Sequence, residues 1–163
     1  MTRAGTTDSF FLLVGTLFGA GYLPKAPGTW GSLLFLPFIV AAYQLGGNAG
    51  ILILTAFASV LSIVTAPAAI RKLGDDPGEF VMDECAGQGL VFAVALPLLQ
   101  APLSITILLG GFLLFRLFDI TKPLGVKRVE KFPGKYGILM DDLLAGLYAS
   151  LSLIAVIYLI SLI

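Results

Sequence analysis

The sequence contains no histidine, which removes the most common general base, any phosphohistidine intermediate and all imidazole metal ligands. Catalysis by this chain would therefore depend on carboxylates, lysine, arginine or hydroxyl groups. The single cysteine, Cys85, excludes an intramolecular disulfide and a cysteine-rich zinc site. We interpret it as a packing residue within a helix.

Charged residues are also scarce, at 12% of the 163 residues, whereas 58% are hydrophobic. Soluble domains average about 25% charged residues, so the composition indicates a helical membrane protein. Ten basic and ten acidic residues give zero formal net charge, and no bulk attraction to nucleic acid follows. Without internal repeats, the sequence predicts a single all-α membrane domain over residues 1–163.

Apolar runs predict about five membrane spans, the first two forming a helical hairpin around Gly46-Gly47-Asn48. Residues 1–9 resemble a short mobile lead, and the apolar piece 10–18 is too short to cross about 30 Å of hydrocarbon. We therefore expect a re-entrant or interfacial segment there. The predicted spans are residues 33–45, 50–70, 85–99, 103–118 and 143–163.

The basic residues between these spans predict the orientation of the chain. Lys25 lies in the first loop and Arg71-Lys72 in the second, while residues 46–49 and 100–102 contain no lysine or arginine. The positive-inside rule then assigns the three charged loops to the cytoplasmic face. The third loop contains Lys122, Lys127, Arg128, Lys131 and Lys135.

Acidic residues mark the same membrane boundary three times. Asp83-Glu84 begins the third span, Asp119 ends the fourth and Asp141-Asp142 begins the fifth. Acids at helix N-termini commonly compensate the helix dipole, but carboxylates at a membrane boundary are unfavourable unless they are paired or bind a cation. Oxygen ligands without histidine or cysteine suit a hard cation such as Mg²⁺.

Basic residues accompany the acids. Arg116 and Asp119 share a helix face, and Lys122 follows three residues later. A metal, carboxylates and cations around a phosphate would suit phosphoryl transfer or hydrolysis. Ion transport through the acidic site is the alternative, and a structural membrane subunit is a third interpretation that leaves the paired acids without a role.

The loop over residues 24–32 is rich in proline and glycine and ends at a predicted helix start. Thr29 or Ser32 is expected to cap that helix, whose free N–H groups could bind phosphate. A capped turn with Trp30 in the interfacial aromatic belt is the alternative.

Four segments together resemble the phosphatidylglycerophosphatase A family. The segments are GAGYLPKAPGTWGS, VMDECAG, FRLFDITKP and GKYGILMDDLLAG. They occur in the family's order over nearly the whole chain from about Gly15 onward, without departure in these motifs. The resemblance implies a Mg²⁺-dependent phosphomonoesterase that converts phosphatidylglycerol phosphate to phosphatidylglycerol and phosphate. It further implies a multi-pass protein of the bacterial cytoplasmic membrane, with its site facing the cytoplasm and no obligate protein partner.

The resemblance also assigns roles to residues. Bound metal activates water, so histidine is not required. Direct attack by water is favoured over an aspartyl-phosphate, because the sequence lacks the usual phosphoaspartate pattern. Metal binding and water activation fall to Asp83, Glu84, Asp119, Asp141 and Asp142. Phosphate binding falls to Arg116 and Lys122, to Thr29 and Ser32, to the backbone amides of Gly28 and Gly31, and more weakly to Lys25. A basic patch for anionic lipid comprises Lys127, Arg128, Lys131 and Lys135.

A cation or lipid transporter remains the rival interpretation. A transporter is expected to carry ionisable residues near the bilayer midplane, in broken helices. The predicted spans are nearly free of charge, and the acids gather at one boundary. This pattern favours chemistry at the membrane surface.

Overall fold

The structure is a computed structural model that describes residues 4–75, 77–123, 125–129, 132 and 134–162. Helices account for 82% of the protein, and the described residues contain no strand, which confirms the predicted all-α class. The single domain over residues 1–163 stays a prediction.

Helix α1 covers Ala4–Gly15 and a short 3-10 turn covers Ala20–Tyr22. Within residues 1–9, where we expected a short mobile lead, residues 4–9 are helical and Asp8 pairs with Arg71 at 2.6 Å. Residues 1–3 lie outside the described part of the chain. Twelve helical residues extend about 18 Å, shorter than the hydrocarbon layer. The re-entrant or interfacial placement of this segment stays a prediction.

Helix α2 covers Pro27–Leu73 and reverses direction at Gly47, whose φ of 58° and ψ of −142° are not helical. In a straight helix, residues eight apart would lie about 12 Å apart along the axis. Here the backbone of Ala42 lies directly against Gly50. The two halves of α2 therefore form the predicted helical hairpin.

The remaining helices are α3 (Met82–Leu99), α4 (Ile105–Thr121), the short α5 (Val126–Val129) and α6 (Lys135–Ile160). Ser104 caps α4 by accepting a hydrogen bond from the Ile107 amide at 3.3 Å. Helix α4 ends where Lys122 adopts a left-handed conformation just before Pro123. Because α6 begins at Lys135, Asp141 and Asp142 lie inside this helix, whereas we expected them at its start.

Helix α3 is at the centre of the bundle, packed against α2 and α6, and α4 packs mainly on α6. The core of the bundle includes the fully buried Phe92, Phe115 and Ile39. Large apolar side chains also cover the outside, including Leu52, Ile53 and others along α2 and α6. Such an apolar exterior is typical of a lipid-facing surface.

Three described helices are long and apolar enough to cross a membrane, namely α2, α3 and α6. They indicate a membrane protein. Helix α4, with 17 residues, is slightly shorter. The count of about five spans and the cytoplasmic placement of the loops stay predictions.

Candidate active site

A cavity of about 260 Å³ opens at one end of the bundle, where α3 and α6 begin and α4 ends. All five acids that the sequence singled out line this cavity, together with Lys122. The lining consists of Pro77, Gly78, Phe80, Asp83, Glu84, Asp119, Ile120, Lys122, Ile138, Asp141 and Asp142. Residues up to 65 positions apart in the sequence, from Pro77 to Asp142, therefore share one small polar space within an otherwise apolar protein.

Helix α1 and the segment before α3 hold the first acidic pair in place. The Val81 amide donates to the Gly15 carbonyl at 3.0 Å, and the Phe80 amide donates to the Pro77 carbonyl at 2.9 Å. Helix α3 starts immediately afterwards, so that Asp83 and Glu84 lie in its first turn. Carboxylates at this position also face the positive end of the helix dipole.

Asp83, Glu84 and Asp142 form a group of three carboxylates that could hold a metal ion. Each offers one oxygen, and these oxygens lie within 4.8 Å of one another. Asp83 and Asp142 are buried, with 6% and 3% of their surface exposed. Asp83 Oδ1, Glu84 Oε2 and Asp142 Oδ1 have no hydrogen-bond partner among the described residues. Buried carboxylate oxygens without partners are unfavourable, and a cation would satisfy them. The residues present therefore fit a hard divalent cation.

The other two acids each pair with a basic side chain. Arg116 Nη1 lies 2.9 Å from Asp119 Oδ2, and Lys122 Nζ lies 2.8 Å from Asp141 Oδ2. All four side chains are at most 22% exposed. Neither Asp119 nor Asp141 belongs to the group of three carboxylates. The structure thus separates the five acids into two sets. Three of them form the group that could bind a metal ion, and the other two form ion pairs with basic side chains.

The start of α2 packs against the same group. Arg116 Nη1 also donates to Ser32 Oγ at 3.3 Å, and Ser32 Oγ donates to the Gly28 carbonyl at 2.8 Å. A Cβ atom built on Gly28 would overlap Glu84 Oε1 and lie 3.2 Å from Arg116 Nη1. Glycine at this position therefore allows Glu84 and Arg116 to approach the backbone of α2 closely.

The predicted cap of α2 is wrong. The cap residue is Ala26 without a side-chain hydrogen bond, because the helix already begins at Pro27, a residue suited to the first helical position. Thr29 and Ser32 lie inside the first turns. The phosphate-binding roles predicted for Thr29, Ser32, Gly28 and Gly31 stay predictions.

Several residues predicted to bind phosphate or lipid do not line the cavity. A Cβ on Gly31 would lie 2.6 Å from Val81 Cβ, so that this glycine allows close helix packing. Lys25 is exposed and, like Thr29, does not line the cavity. Lys127 and Arg128 are exposed and Lys135 is partly exposed, whereas Lys131 lies outside the described residues.

Sequence reasoning missed the contribution of small residues and of one buried amide. A Cβ on Gly87 would lie 2.6 Å from the Asp142 carbonyl oxygen, and one on Gly146 would overlap the Gly87 carbonyl. These two glycines let α3 and α6 approach closely enough for their carboxylates to meet. Gln88 is fully buried, one turn after Glu84. Its spacing from Glu84 was the available signal, because residues four apart share a helix face.

A carboxylate-lined cavity beside two basic side chains, at the end of an apolar helical bundle, is the arrangement expected of a membrane enzyme that acts on phosphate esters. The family model for phosphatidylglycerophosphatase A matches residues 13–157. The chain belongs to the phosphatidylglycerophosphatase A family and is a phosphatase.

Curated relatives agree with this family. A protein of Bacteroides thetaiotaomicron, provisionally named a phosphatidylinositol-3-phosphatase, is 43% identical over 152 residues, covering 89% of this chain and 91% of the relative. The phosphatidylglycerophosphatase A of Haemophilus influenzae is 37% identical, covering 90% and 88%. That of Escherichia coli K12 is 28% identical, covering 85% and 78%. No solved structure matches the chain.

Proposed function

We propose that this phosphatase removes the terminal phosphate of phosphatidylglycerol phosphate, giving phosphatidylglycerol and inorganic phosphate. The observation that carries the proposal is the convergence of five carboxylates, Lys122 and Arg116 at one end of the bundle. Fully ionised, the five acids would exceed Arg116 and Lys122 by three negative charges, and a divalent cation would offset two of these. The names of the Haemophilus and Escherichia relatives support the choice of substrate.

Asp83, Glu84 and Asp142 are the residues proposed to hold Mg²⁺. Their oxygens are close enough for one ion, and hard oxygen ligands suit this metal. When bound, Mg²⁺ supplies Lewis-acid polarisation of the phosphoryl group and activation of water.

Arg116 and Lys122 are proposed to bind the phosphate and offset charge in the transition state. Asp119 and Asp141 hold these two cations at 2.9 Å and 2.8 Å, so that little reorientation is needed when substrate enters. The water oxygen forms a bond to phosphorus while the bond between phosphorus and the ester oxygen breaks. Water gives up one proton, and the departing glycerol oxygen takes up one proton.

The lipid tails are proposed to stay in the bilayer of a bacterial cytoplasmic membrane, with the cavity facing the cytoplasm. The exposed Lys127 and Arg128, which follow α4, support this orientation because basic loops favour the cytoplasmic side. They also suit contact with anionic lipid headgroups. This arrangement explains why a phosphatase for a small headgroup has such an apolar exterior.

A phosphoinositide monophosphate is the second candidate substrate. The observation that favours it is the name of the Bacteroides relative, which is 43% identical to this chain. Both candidates are phosphomonoesters attached to a diacylglycerol lipid, and the same constellation of carboxylates and cations suits either.

The experiment measures phosphate release by the purified full chain in mixed micelles with Mg²⁺. We expect release from phosphatidylglycerol phosphate, slower release from phosphatidylinositol 3-phosphate, and loss of both after EDTA. Asp83→Asn should abolish release, whereas Asp75→Asn, at an exposed acid outside the cavity, should not. Faster release from the phosphoinositide would favour the second candidate. No release from either lipid, together with Mg²⁺ flux into proteoliposomes, would favour the transporter.

A further inference from the structure

A groove of about 510 Å³ lies between α4 and α6, separate from the candidate active site. Its walls are mainly aliphatic and include Leu113, Leu114, Leu153, Val156 and Ile157. Among the described residues that line it, only Ser104 and Thr106 are polar, and they lie at the start of α4, remote from the cavity. The groove therefore suits an apolar ligand.

An exposed apolar stripe on α4 leads from this groove to the active-site cavity. Leu113 lines the groove, and Ile120 lines the cavity. Leu117 lies between them, and spacings of four and three residues place all three on one helix face. The exposed fractions of Leu113, Leu117 and Ile120 are 64%, 53% and 66%. An apolar surface therefore extends along α4 from the groove to the rim of the cavity.

Helix α6 connects the same two sites. Asp142 lines the cavity, whereas Leu153 and Val156 line the groove three to four turns further along the same side of α6. Between the two sites, the rings of Phe118 on α4 and Tyr148 on α6 pack with their centroids 5.9 Å apart. This contact occupies the space between the helices at that level. A ligand that reaches both sites would therefore run along the outer, lipid-facing surface.

The separation between the two sites matches the length of a lipid tail. Ile120 follows Leu113 by seven residues, which corresponds to about 10 Å along the helix axis. An extended chain advances about 1.2 Å per bond, so a sixteen-carbon tail spans about 18 Å and an eight-carbon tail about 9 Å. A sixteen-carbon tail that begins at the cavity would thus enter the groove, whereas an eight-carbon tail would end at its near edge.

We infer that the groove between α4 and α6 binds one acyl chain of the lipid whose phosphate occupies the cavity. The chain passes Ile120 and Leu117, and its distal half lies against Leu113, Leu153 and Val156. Lipid tails are as apolar as leucine, so the groove contributes van der Waals contacts and orientation of the headgroup rather than a gain from burial. The inference deepens the proposed function and rests on it for the identity of the lipid.

The kinetic test compares dipalmitoyl and dioctanoyl phosphatidylglycerol phosphate with the purified full chain in mixed micelles. Val156→Trp fills the groove and should lower kcat/KM for the dipalmitoyl lipid about tenfold, because the tail loses on the order of ten van der Waals contacts. The value for the dioctanoyl lipid should stay within about twofold, since its tail ends before the groove. Leu113→Trp, on the opposite wall, replaces Val156→Trp if the latter does not fold.

Val60→Trp is the matched control for this kinetic test. It makes the same change at a residue of α2 that is 57% exposed and does not line the groove. We expect this variant to act on both lipids as the unmodified chain does. A loss in Val60→Trp equal to that in Val156→Trp would assign the effect to any large side chain on the lipid-facing surface and would overturn the inference.

Photolabelling locates the tail without turnover. The probe is a non-hydrolysable phosphonate analogue of phosphatidylglycerol phosphate with a diazirine near the end of one sixteen-carbon tail. We expect it to label the peptides that contain Leu113 and Val156, and excess inorganic phosphate to reduce this labelling. Phosphatidylcholine with the same tail should show no preference for these peptides, because it has no phosphomonoester for the cavity.

Equal labelling of the groove by both lipids would identify ordinary boundary lipid there and overturn the inference, as would equal losses on the two substrates in Val156→Trp. A changed oligomeric state in Val156→Trp, without labelling of the groove, would identify a second copy of the chain as the occupant and likewise overturn it. Preferential labelling by the phosphonate, without phosphate release from phosphatidylglycerol phosphate, would support the groove and count against the proposed function alone.

Discussion

Gly28→Ala should lower the rate of phosphate release about a hundredfold while leaving the protein folded. Gly28 is helical, and alanine is the better helix former by about 1 kcal/mol, so the backbone itself favours the change. The new Cβ, however, would overlap Glu84 Oε1 and crowd Arg116 Nη1 at 3.2 Å. Both neighbouring atoms are ends of flexible side chains, which can move aside. The protein therefore keeps its fold but displaces a proposed metal ligand and a proposed phosphate ligand together.

The size of the effect follows from the overlap. Glu84 Oε1 would have to move by about 1 Å, and a displacement of that size at a catalytic group can lower the rate by about a hundredfold. Phosphate release from phosphatidylglycerol phosphate in micelles measures the rate, and thermal unfolding measures the fold. Gly110→Ala in α4 is the matched control, because among the described residues its Cβ would meet only Leu153 Cδ1, at an ordinary 3.4 Å. A Gly28→Ala variant as active as Gly110→Ala would refute the placement of Glu84 and Arg116 beside Gly28.

Three further predictions concern the carboxylates proposed to bind metal, the basic side chain of Lys122 and the hairpin turn of α2. Asp142→Asn should lower phosphate release by roughly a hundredfold or more and should weaken Mg²⁺ activation, since disturbing even the supporting groups of a metal site has effects of about 10- to 100-fold; an unchanged Mg²⁺ dependence would contradict it. Lys122→Ala should lower kcat/KM by about ten- to hundredfold, whereas the exposed Lys127→Ala should leave it within about twofold in neutral detergent; comparable losses would move Lys127 into the site. Gly47→Ala should lower the free energy of unfolding by about 1–3 kcal/mol, because its φ of 58° with ψ of −142° strains an L-residue. The Cβ of Gly46→Ala would meet none of the described residues, and Gly46 has no positive φ, so this change should be nearly neutral in the same unfolding experiment. An equal effect at both glycines would argue against strain at the turn.

Much of the site follows from local sequence signals. The Gly46-Gly47-Asn48 motif predicted the reversal of α2, because a glycine can adopt the backbone angles required there. The positions of Asp83-Glu84, Asp119 and Asp141-Asp142 at the ends of apolar runs predicted that they would lie at one membrane face, and the structure places all five along one cavity. The shared location of these acids follows from the alternation of charged and uncharged loops, because successive loops lie on opposite sides of the membrane and every second loop lies on the same side.

Helix starts were harder to predict. Helix α6 begins at Lys135, although its apolar run starts only at Leu143. A hydropathy pattern detects only the apolar part of a helix. Polar turns that extend the same helix beyond the membrane therefore go undetected. Helix α2 likewise starts at Pro27, ahead of Thr29 and Ser32, because proline is well suited to the first helical position.

The division of labour among the acids depends on packing between distant segments. Whether Asp142 meets Asp83 or pairs with a lysine is decided by how closely α3 and α6 approach at Gly87 and Gly146. Adjacent residues can then have different partners, as Asp141 pairs with Lys122 while Asp142 joins the group of three. No spacing rule within one segment predicts such a difference.

The central claim is that Asp83, Glu84 and Asp142 together hold a divalent cation that the phosphatase requires. Binding of Mn²⁺ as a paramagnetic substitute for Mg²⁺ tests it most directly, with free and bound ion distinguished by electron paramagnetic resonance. We expect the unmodified chain and Asp75→Asn to bind Mn²⁺ equally, Mg²⁺ to compete, and Glu84→Gln and Asp142→Asn each to weaken binding at least about tenfold. Undiminished Mn²⁺ binding by Glu84→Gln and Asp142→Asn would contradict a metal site at these three carboxylates.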